Sequence, residues 1–136
     1  MSGLEPGEAR ILVVEDDPDN RIVISRLLRM AGVGPDSFAA IGGDACEYLK
    51  RDGERFDLVF LDLQMPRKDG YAVLADIRAL GIPVRVVALT ASVTRREIEL
   101  CREAGFDGFI GKPIDGRRFS ELLRKILLGE AVWTED

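Results

Sequence analysis

DLVFLDLQMP, from Asp57 to Pro66, is the stretch whose reading decides the fold. Leu58 to Leu61 is a short apolar run bounded by polar and turn residues, which suits a central parallel strand covered on both faces. The run ends in a carboxylate, Asp62, followed by a loop that closes at Met65 and Pro66. In open parallel α/β sheets, ligands bind in the crevice beyond the carboxyl ends of the strands. Asp62 therefore stands where chemistry is done, and is a candidate nucleophile that accepts a phosphoryl group.

Working outward, four more apolar runs alternate with helical segments. Ile11 to Val14 is β-branched and buried in character. It ends in Glu15, Asp16 and Asp17, and Asp17 before Pro18 makes an N-cap and first-turn pair. The next helix reaches about Ala31, with Ile22, Val23, Leu27, Leu28 and Met30 expected inside and Arg21, Arg26 and Arg29 in water. A weak strand near Ser37 to Ala40 belongs at a sheet edge. A helix over about 44–51 is broken by Gly53. Beyond Asp62 come a turn at Lys68–Asp69–Gly70 and a helix over about 71–80, with Val73, Leu74 and Ile77 turned inward. Val84 to Leu89 is a strand ending at Thr90, Ala91 and Ser92. The helix over about 94–104 offers only Ile98, Leu100 and Cys101 to a core, so it belongs to the low-stability end of the fold. Gly108 to Ile110 is the last strand, ending at Gly111–Lys112–Pro113, and a helix over about 115–128 packs Phe119, Leu122, Leu123, Ile126 and Leu127. Strand–helix alternation in five units implies α/β architecture with a parallel sheet, right-handed crossovers and helices on both faces. Residues 1–9 read as a frayed lead-in, 10–128 as one domain, and 129–136 as a short tail whose Trp133 docks on the domain or a neighbour.

Composition limits the function classes. The chain has 136 residues, 46% hydrophobic and 32% charged, which suits one globular core. A net charge of −5 disfavours nonspecific nucleic-acid binding. No apolar run is long enough to span a bilayer, and no signal-peptide core is present, so a cytoplasmic location is expected. Cys46 and Cys101 have no metal-ligand spacing and read as small thiols inside helices. With no histidine in the chain, a Ser-His-Asp site and an internal phosphohistidine are excluded.

Glu15 and Asp16, Asp62, Thr90 and Lys112 all fall at strand ends, and in a parallel sheet these ends share one edge. Crowded carboxylates need a cation or they lose charge. Carboxylates with a backbone carbonyl and waters are what Mg²⁺ takes. Lys112 brings a point charge for a phosphoryl oxygen and Thr90 a hydroxyl, so the set suits phosphoryl transfer to a carboxylate.

ILVVEDD (Ile11–Asp17), LVFLDLQMPRKDGY (Leu58–Tyr71), VVALTA (Val86–Ala91) and GFIGKPI (Gly108–Ile114), in this order and spacing, resemble the receiver domain of two-component response regulators, in the manner of the single-domain chemotaxis regulators. The resemblance runs from Ile11 to about Leu128. It implies a flavodoxin-like, doubly wound five-stranded sheet of order 2-1-3-4-5. It also implies that Asp62 is the phosphoacceptor and that Mg²⁺ is held by Glu15, Asp16, Asp62 and the backbone carbonyl of Gln64. Lys112 becomes the phosphoryl-binding lysine before a cis Pro113, Thr90 the switch hydroxyl and Phe109 the switch aromatic, turning inward on activation. Gln64, Ala91 and Ser92 govern access to the acyl phosphate and its lifetime. The implied partners are a histidine kinase or histidine phosphotransfer protein and a downstream protein target, with no direct nucleic acid and no membrane. The chain itself would be a monomer or weak dimer that catalyses its own phosphorylation and dephosphorylation. Arg95, Arg96, Arg117, Arg118 and Lys125 are candidates for the target-facing surface. The alternative is a pseudo-receiver, the same fold used as a non-phosphorylated docking module. An aspartate-based phosphatase fits poorly because Gln64 stands where a second acid would be needed. A flavin carrier fits poorly because Glu15 to Asp17 would repel its phosphate.

Overall fold

A computed structural model describes residues 4–51, 55–66 and 68–133; Gly53, the expected helix breaker, lies outside them. β1 (Ile11–Val14), β2 (Phe38–Ile41), β3 (Leu58–Asp62), β4 (Arg85–Thr90) and β5 (Gly108–Gly111) form a parallel sheet. Their spatial order is β2-β1-β3-β4-β5, as expected, with β2 at the edge. The intervening helices are α1 (Pro18–Met30), α2 (Ala45–Lys50), α3 (Gly70–Ala79), α4 (Arg95–Ala104) and α5 (Gly116–Leu127). Each starts from a side-chain cap that satisfies an otherwise orphan N–H: Asp17, Asp44, Asp69, Thr94 and Asp115. A two-rung antiparallel ribbon, Gln64–Met65 against Lys68–Asp69, folds the loop after β3 back toward α3.

The sheet divides the core by residue parity, because successive strand residues face opposite sides. Ile11, Val13, Phe60, Val87 and Leu89 pack with α1 and α5 on one face. Leu12, Val14, Val59, Leu61, Val86 and Ala88 pack with α2, α3 and α4 on the other. Phe60 and Phe119 meet at 5.7 Å between ring centroids.

Three expectations are corrected. The inner face of α1 is Ile24, Leu27 and Leu28, while Ile22 and Val23 are each 53% exposed and Met30 71%. The apolar arc of this helix is wider than the sheet beneath it can cover, and the i, i+3, i+4 set starting at Ile24 wins the contact. The tail does more than dock a tryptophan: Val132–Trp133 forms a sixth strand, β6, parallel to β5, pairing Val132 with Gly108 and Trp133 with Phe109. A Cβ on Gly108 would lie 2.9 Å from the Val132 carbonyl, so glycine there lets the extra strand approach. Residues 4–9 are tied to the domain at both ends rather than frayed: the Leu4 N–H donates to the Leu127 carbonyl at 3.0 Å, and Ala9 is fully buried. Among the described residues, no helix is long and apolar enough to cross a membrane.

The phase of α1 is checked by truncation. Ile24→Ala is expected to cost about 2–4 kcal/mol in denaturant unfolding, whereas Ile22→Ala should stay within about 0.5 kcal/mol of the unmodified chain. Equal losses at the two positions would contradict the orientation described.

Candidate functional site

The apolar strands end together, and the chain turns polar just beyond them. Glu15, directly after β1, and Asp62 and Thr90, the last residues of β3 and β4, are buried at 3%, 2% and 1% exposure. Lys112 comes directly after β5 and reaches across the edge. Its Nζ donates to Asp62 Oδ2 at 2.8 Å and to Glu15 Oε1 at 3.2 Å. The backbone holds the lysine in place: its N–H donates to the Thr90 carbonyl at 2.8 Å, and the bond to Pro113 is cis, as expected. The remaining carboxylate oxygens take backbone donors. Asp62 Oδ1 accepts from the Gln64 amide at 2.8 Å, and Glu15 Oε2 accepts from the Asp17 amide at 3.1 Å.

The electrostatics divide the two carboxyl groups. Burial and the hydrogen bond to Asp62 push Glu15 above its ordinary range. Burial works against ionised Asp62 too, but hydrogen bonds from Glu15, Lys112 and the Gln64 amide outweigh it, and Asp62 sits below its ordinary range. Lys112 loses to burial but gains more from Asp62 and Glu15, so its pKa is raised and it stays charged. The result is an ionised aspartate with a cation on one oxygen, which suits a nucleophile.

Around this pair the other expected residues fall into place unevenly. Glu15, Asp16 and Gln64 line a cleft with Asp17, Asn20, Gly42, Pro66 and Lys68. Among the described residues, no three acidic or thiol side chains close into a ready metal cage. The donor chemistry nevertheless fits Mg²⁺. Its oxygens are hard, Glu15 and Asp62 together outnumber the single ammonium, and Mg²⁺ keeps several waters and uses only one or two carboxylates. Thr90 Oγ1 accepts from the Ser92 amide at 3.0 Å, facing its own loop. Gln64 ties that loop to the one after β3, its Oε1 accepting from the Ala91 amide at 2.9 Å. Phe109 is a correction: it is fully buried among Ala88, Ile98 and Phe106. It is already inside, so there is no inward turn left for it to make from this conformation.

Two features escaped the reading of the sequence. Arg21, assigned to the wet face of α1, bends back: its Nη1 donates to the Glu15 carbonyl at 2.8 Å and to the Asp16 carbonyl at 3.0 Å. Its only signal in the sequence is a basic residue one turn past the Asp17 cap. Tyr71 of α3 donates its hydroxyl to Glu97 of α4 and packs edge-on against Phe106. Burial and the Glu97 carboxylate push the Tyr71 hydroxyl far above its ordinary range, so it remains a donor. Thr94 and Glu97 have capping-box spacing, but only half of the box forms. Thr94 Oγ1 accepts from the Glu97 amide, while the Glu97 carboxylate is committed to Tyr71.

Comparison with known proteins agrees with this geometry. A sequence profile described as response regulator receiver domain matches residues 11–124. The chain is 37% identical over 118 residues to the osmosensing histidine protein kinase SLN1 of Saccharomyces cerevisiae, covering 84% of this chain and 10% of that one. It is 32% identical over 120 residues to the two-component response regulator ORR41 of Oryza sativa subsp. japonica, covering 88% of this chain and 94% of that one. It thus spans about a tenth of the kinase and nearly all of the regulator. Among solved structures, the receiver domain of sensor histidine kinase PA1611 from Pseudomonas aeruginosa superposes with a TM-score of 0.71 at 29% identity, over 90% of this chain and 98% of that one. That structure has a magnesium ion coordinated in its active site cleft. The chemotaxis protein CheY4 of Vibrio cholerae shares the fold, with a TM-score of 0.75 at 21% identity, over 88% of this chain and 98% of that one.

The charge balance at the strand ends can be tested by stability. Lys112→Met leaves two buried carboxyl groups without their cation and should cost about 2–4 kcal/mol in denaturant unfolding at neutral pH. Adding Asp62→Asn should return at least about 1 kcal/mol, because the uncompensated charge is then gone. A double variant no more stable than the single one would refute this account of the site.

Proposed function

This chain belongs to the response regulator receiver domain family, and we propose that it is a phosphoacceptor switch of a two-component phosphorelay, with Asp62 as the residue modified. The observation that carries the proposal is the ionised Asp62 held at a buried sheet edge with Lys112 Nζ 2.8 Å from one oxygen. The chain contains no histidine, so a phosphohistidine donor lies outside these residues, on a histidine kinase or a histidine phosphotransfer protein. A carboxylate oxygen of Asp62 attacks the phosphorus, the P–O bond forms as the P–N bond breaks, and the imidazole leaves with the partner. Lys112 then holds a phosphoryl oxygen and balances the charge gained.

Glu15, Asp16, Asp62 and the backbone carbonyl of Gln64 are the groups that would hold Mg²⁺. Bound there, the ion neutralises charge on the phosphoryl oxygens. Glu15 and Asp62 share the Lys112 ammonium. Gln64 and Ala91 are joined to each other, and with Ser92 they set how readily water reaches the acyl phosphate. The domain is thus the catalyst of its own modification and of its reversal.

The output arises from the new charge. An aspartyl phosphate offers acceptor oxygens to the Thr90 hydroxyl proton, and a rotation that aims the hydroxyl at them draws Oγ1 away from the Ser92 amide it now accepts from. Rotation of Thr90 loosens the loop that starts α4. With Phe109 already inside, that loop and α4 carry the shift in population toward a state that binds a downstream protein.

Acetyl phosphate with Mg²⁺ should add the mass of one phosphoryl group to the intact chain, and peptide mapping should place it on Asp62. Asp62→Asn should gain none, and Lys112→Ala should be modified at least about 10-fold more slowly, as expected for loss of a charge-stabilising group. An unmodified wild-type chain would instead leave the pseudo-receiver reading, a docking module.

A further inference from the structure

Glu15 and Asp16 lie past the last rung of β1, where the sheet no longer satisfies their carbonyls. The Glu15 N–H still donates to the Ile41 carbonyl at 2.9 Å, but the Glu15 and Asp16 carbonyls point away from the ladder. Both are taken by Arg21 Nη1, at 2.8 and 3.0 Å. The guanidinium reaches them through a gap that exists because residue 42 is glycine. A Cβ there would stand 2.6 Å from Arg21 Nη1 and 3.5 Å from the Glu15 carbonyl. Gly42 is exposed and its φ is not in the left-handed region, so its backbone does not require glycine. What the missing side chain provides is room for the arginine.

We infer that Arg21 is a positioning residue for the acid pair: threaded past Gly42, it clamps the carbonyls of Glu15 and Asp16 and sets how their carboxylates face the cleft. The inference rests on reading that cleft as the magnesium and phosphoryl site. Two consecutive peptide units pinned by one rigid donor cannot rotate independently, and the side chains they carry inherit that constraint. Charge alone would act in the opposite direction. An arginine beside a divalent-cation site repels the cation, so a purely electrostatic Arg21 would weaken binding and its removal would strengthen it. The clamp and the charge therefore predict opposite signs for the same substitution.

The test is calorimetric titration of the full chain with Mg²⁺ alone, with thermal unfolding in chelator as the folding control. Arg21→Ala is expected to bind Mg²⁺ about 10-fold more weakly, the loss typical when a group orienting a metal ligand is removed, while still unfolding cooperatively. Arg21→Lys keeps the charge but lacks the planar guanidinium, and should not restore binding. Gly42→Ala, which leaves the arginine in place but pushes it out of the gap, should weaken binding in the same direction. In the Arg21→Ala background it should add little further loss, since the two changes break one arrangement. Unchanged or tighter Mg²⁺ binding by Arg21→Ala would overturn the inference, as would full rescue by lysine. If Arg21→Ala fails to fold, Gly42→Ala decides, and wild-type affinity in that variant overturns the clamp. A wild-type chain that binds no Mg²⁺ overturns the reading of the cleft along with the inference. Normal wild-type binding with unaffected variants overturns the inference alone.

Discussion

One ammonium group between two buried carboxyl groups is the constraint around which the site is built. Lys112 lies within hydrogen-bond reach of both Asp62 and Glu15, and each acid comes from a different strand end. Removing charged groups from water is costly, and attraction between them offsets that cost only when geometry and additional hydrogen bonds are good. Here the additional bonds are present, from the Gln64 amide to Asp62 and from the Asp17 amide to Glu15. The arrangement still has one carboxyl group too many for a single ammonium, and burial beside Asp62 raises the pKa of Glu15. Such a balance is a weak way to stabilise a fold and a good way to keep a carboxylate ready for an incoming charge.

The sheet makes this balance possible. β1, β3 and β4 are buried along their whole length or nearly so, because α1 and α5 cover one face and α2, α3 and α4 the other. Only the ends of such strands can carry polar side chains without burying them unpaired. Parallel pairing then brings every carboxyl end to the same edge. This is why the site was legible in the chain. Locating Glu15, Asp62, Thr90 and Lys112 needed only the ends of four apolar runs and the rule that they point the same way.

What could not be read depended on competition between nearly equal partners. The apolar arc of α1 offered two phases, and contact with the sheet chose Ile24 over Ile22. Arg21 looked like solvent-facing charge, since nothing in the pattern reveals that two carbonyls lie unpaired behind it or that Gly42 leaves a gap. The Glu97 carboxylate, three residues past the Thr94 cap, is taken by Tyr71, a partner distant in sequence. Val132 and Trp133 are too short a run to signal a strand, and they form one only because β5 presents an open edge with Gly108 on it. Phe109 was placed correctly on its strand, yet that its ring lies inside the cluster shared with Ile98 and Phe106 is a matter of side-chain packing, which periodicity cannot measure.

The same competition explains why α4 is the element best suited to respond. Of its ten residues only Ile98 and Cys101 are buried, against five of the twelve in α5. Its remaining attachments are polar or ring contacts: the Tyr71–Glu97 hydrogen bond, the Thr94 cap, and Arg102 over the Trp133 ring at 4.8 Å. Polar contacts exchange partners at little net cost, because water or a neighbouring donor replaces what is lost. Apolar anchoring is not exchangeable in this way, since exposing a buried side chain forfeits its whole transfer free energy. A rearrangement that starts at Thr90 therefore meets least resistance along the loop 91–94 and into α4. Rotating Thr90 frees the Ser92 amide. The Ala91 amide is bound to Gln64 across the gap, so that loop is tied both to Thr90 and to the loop after β3.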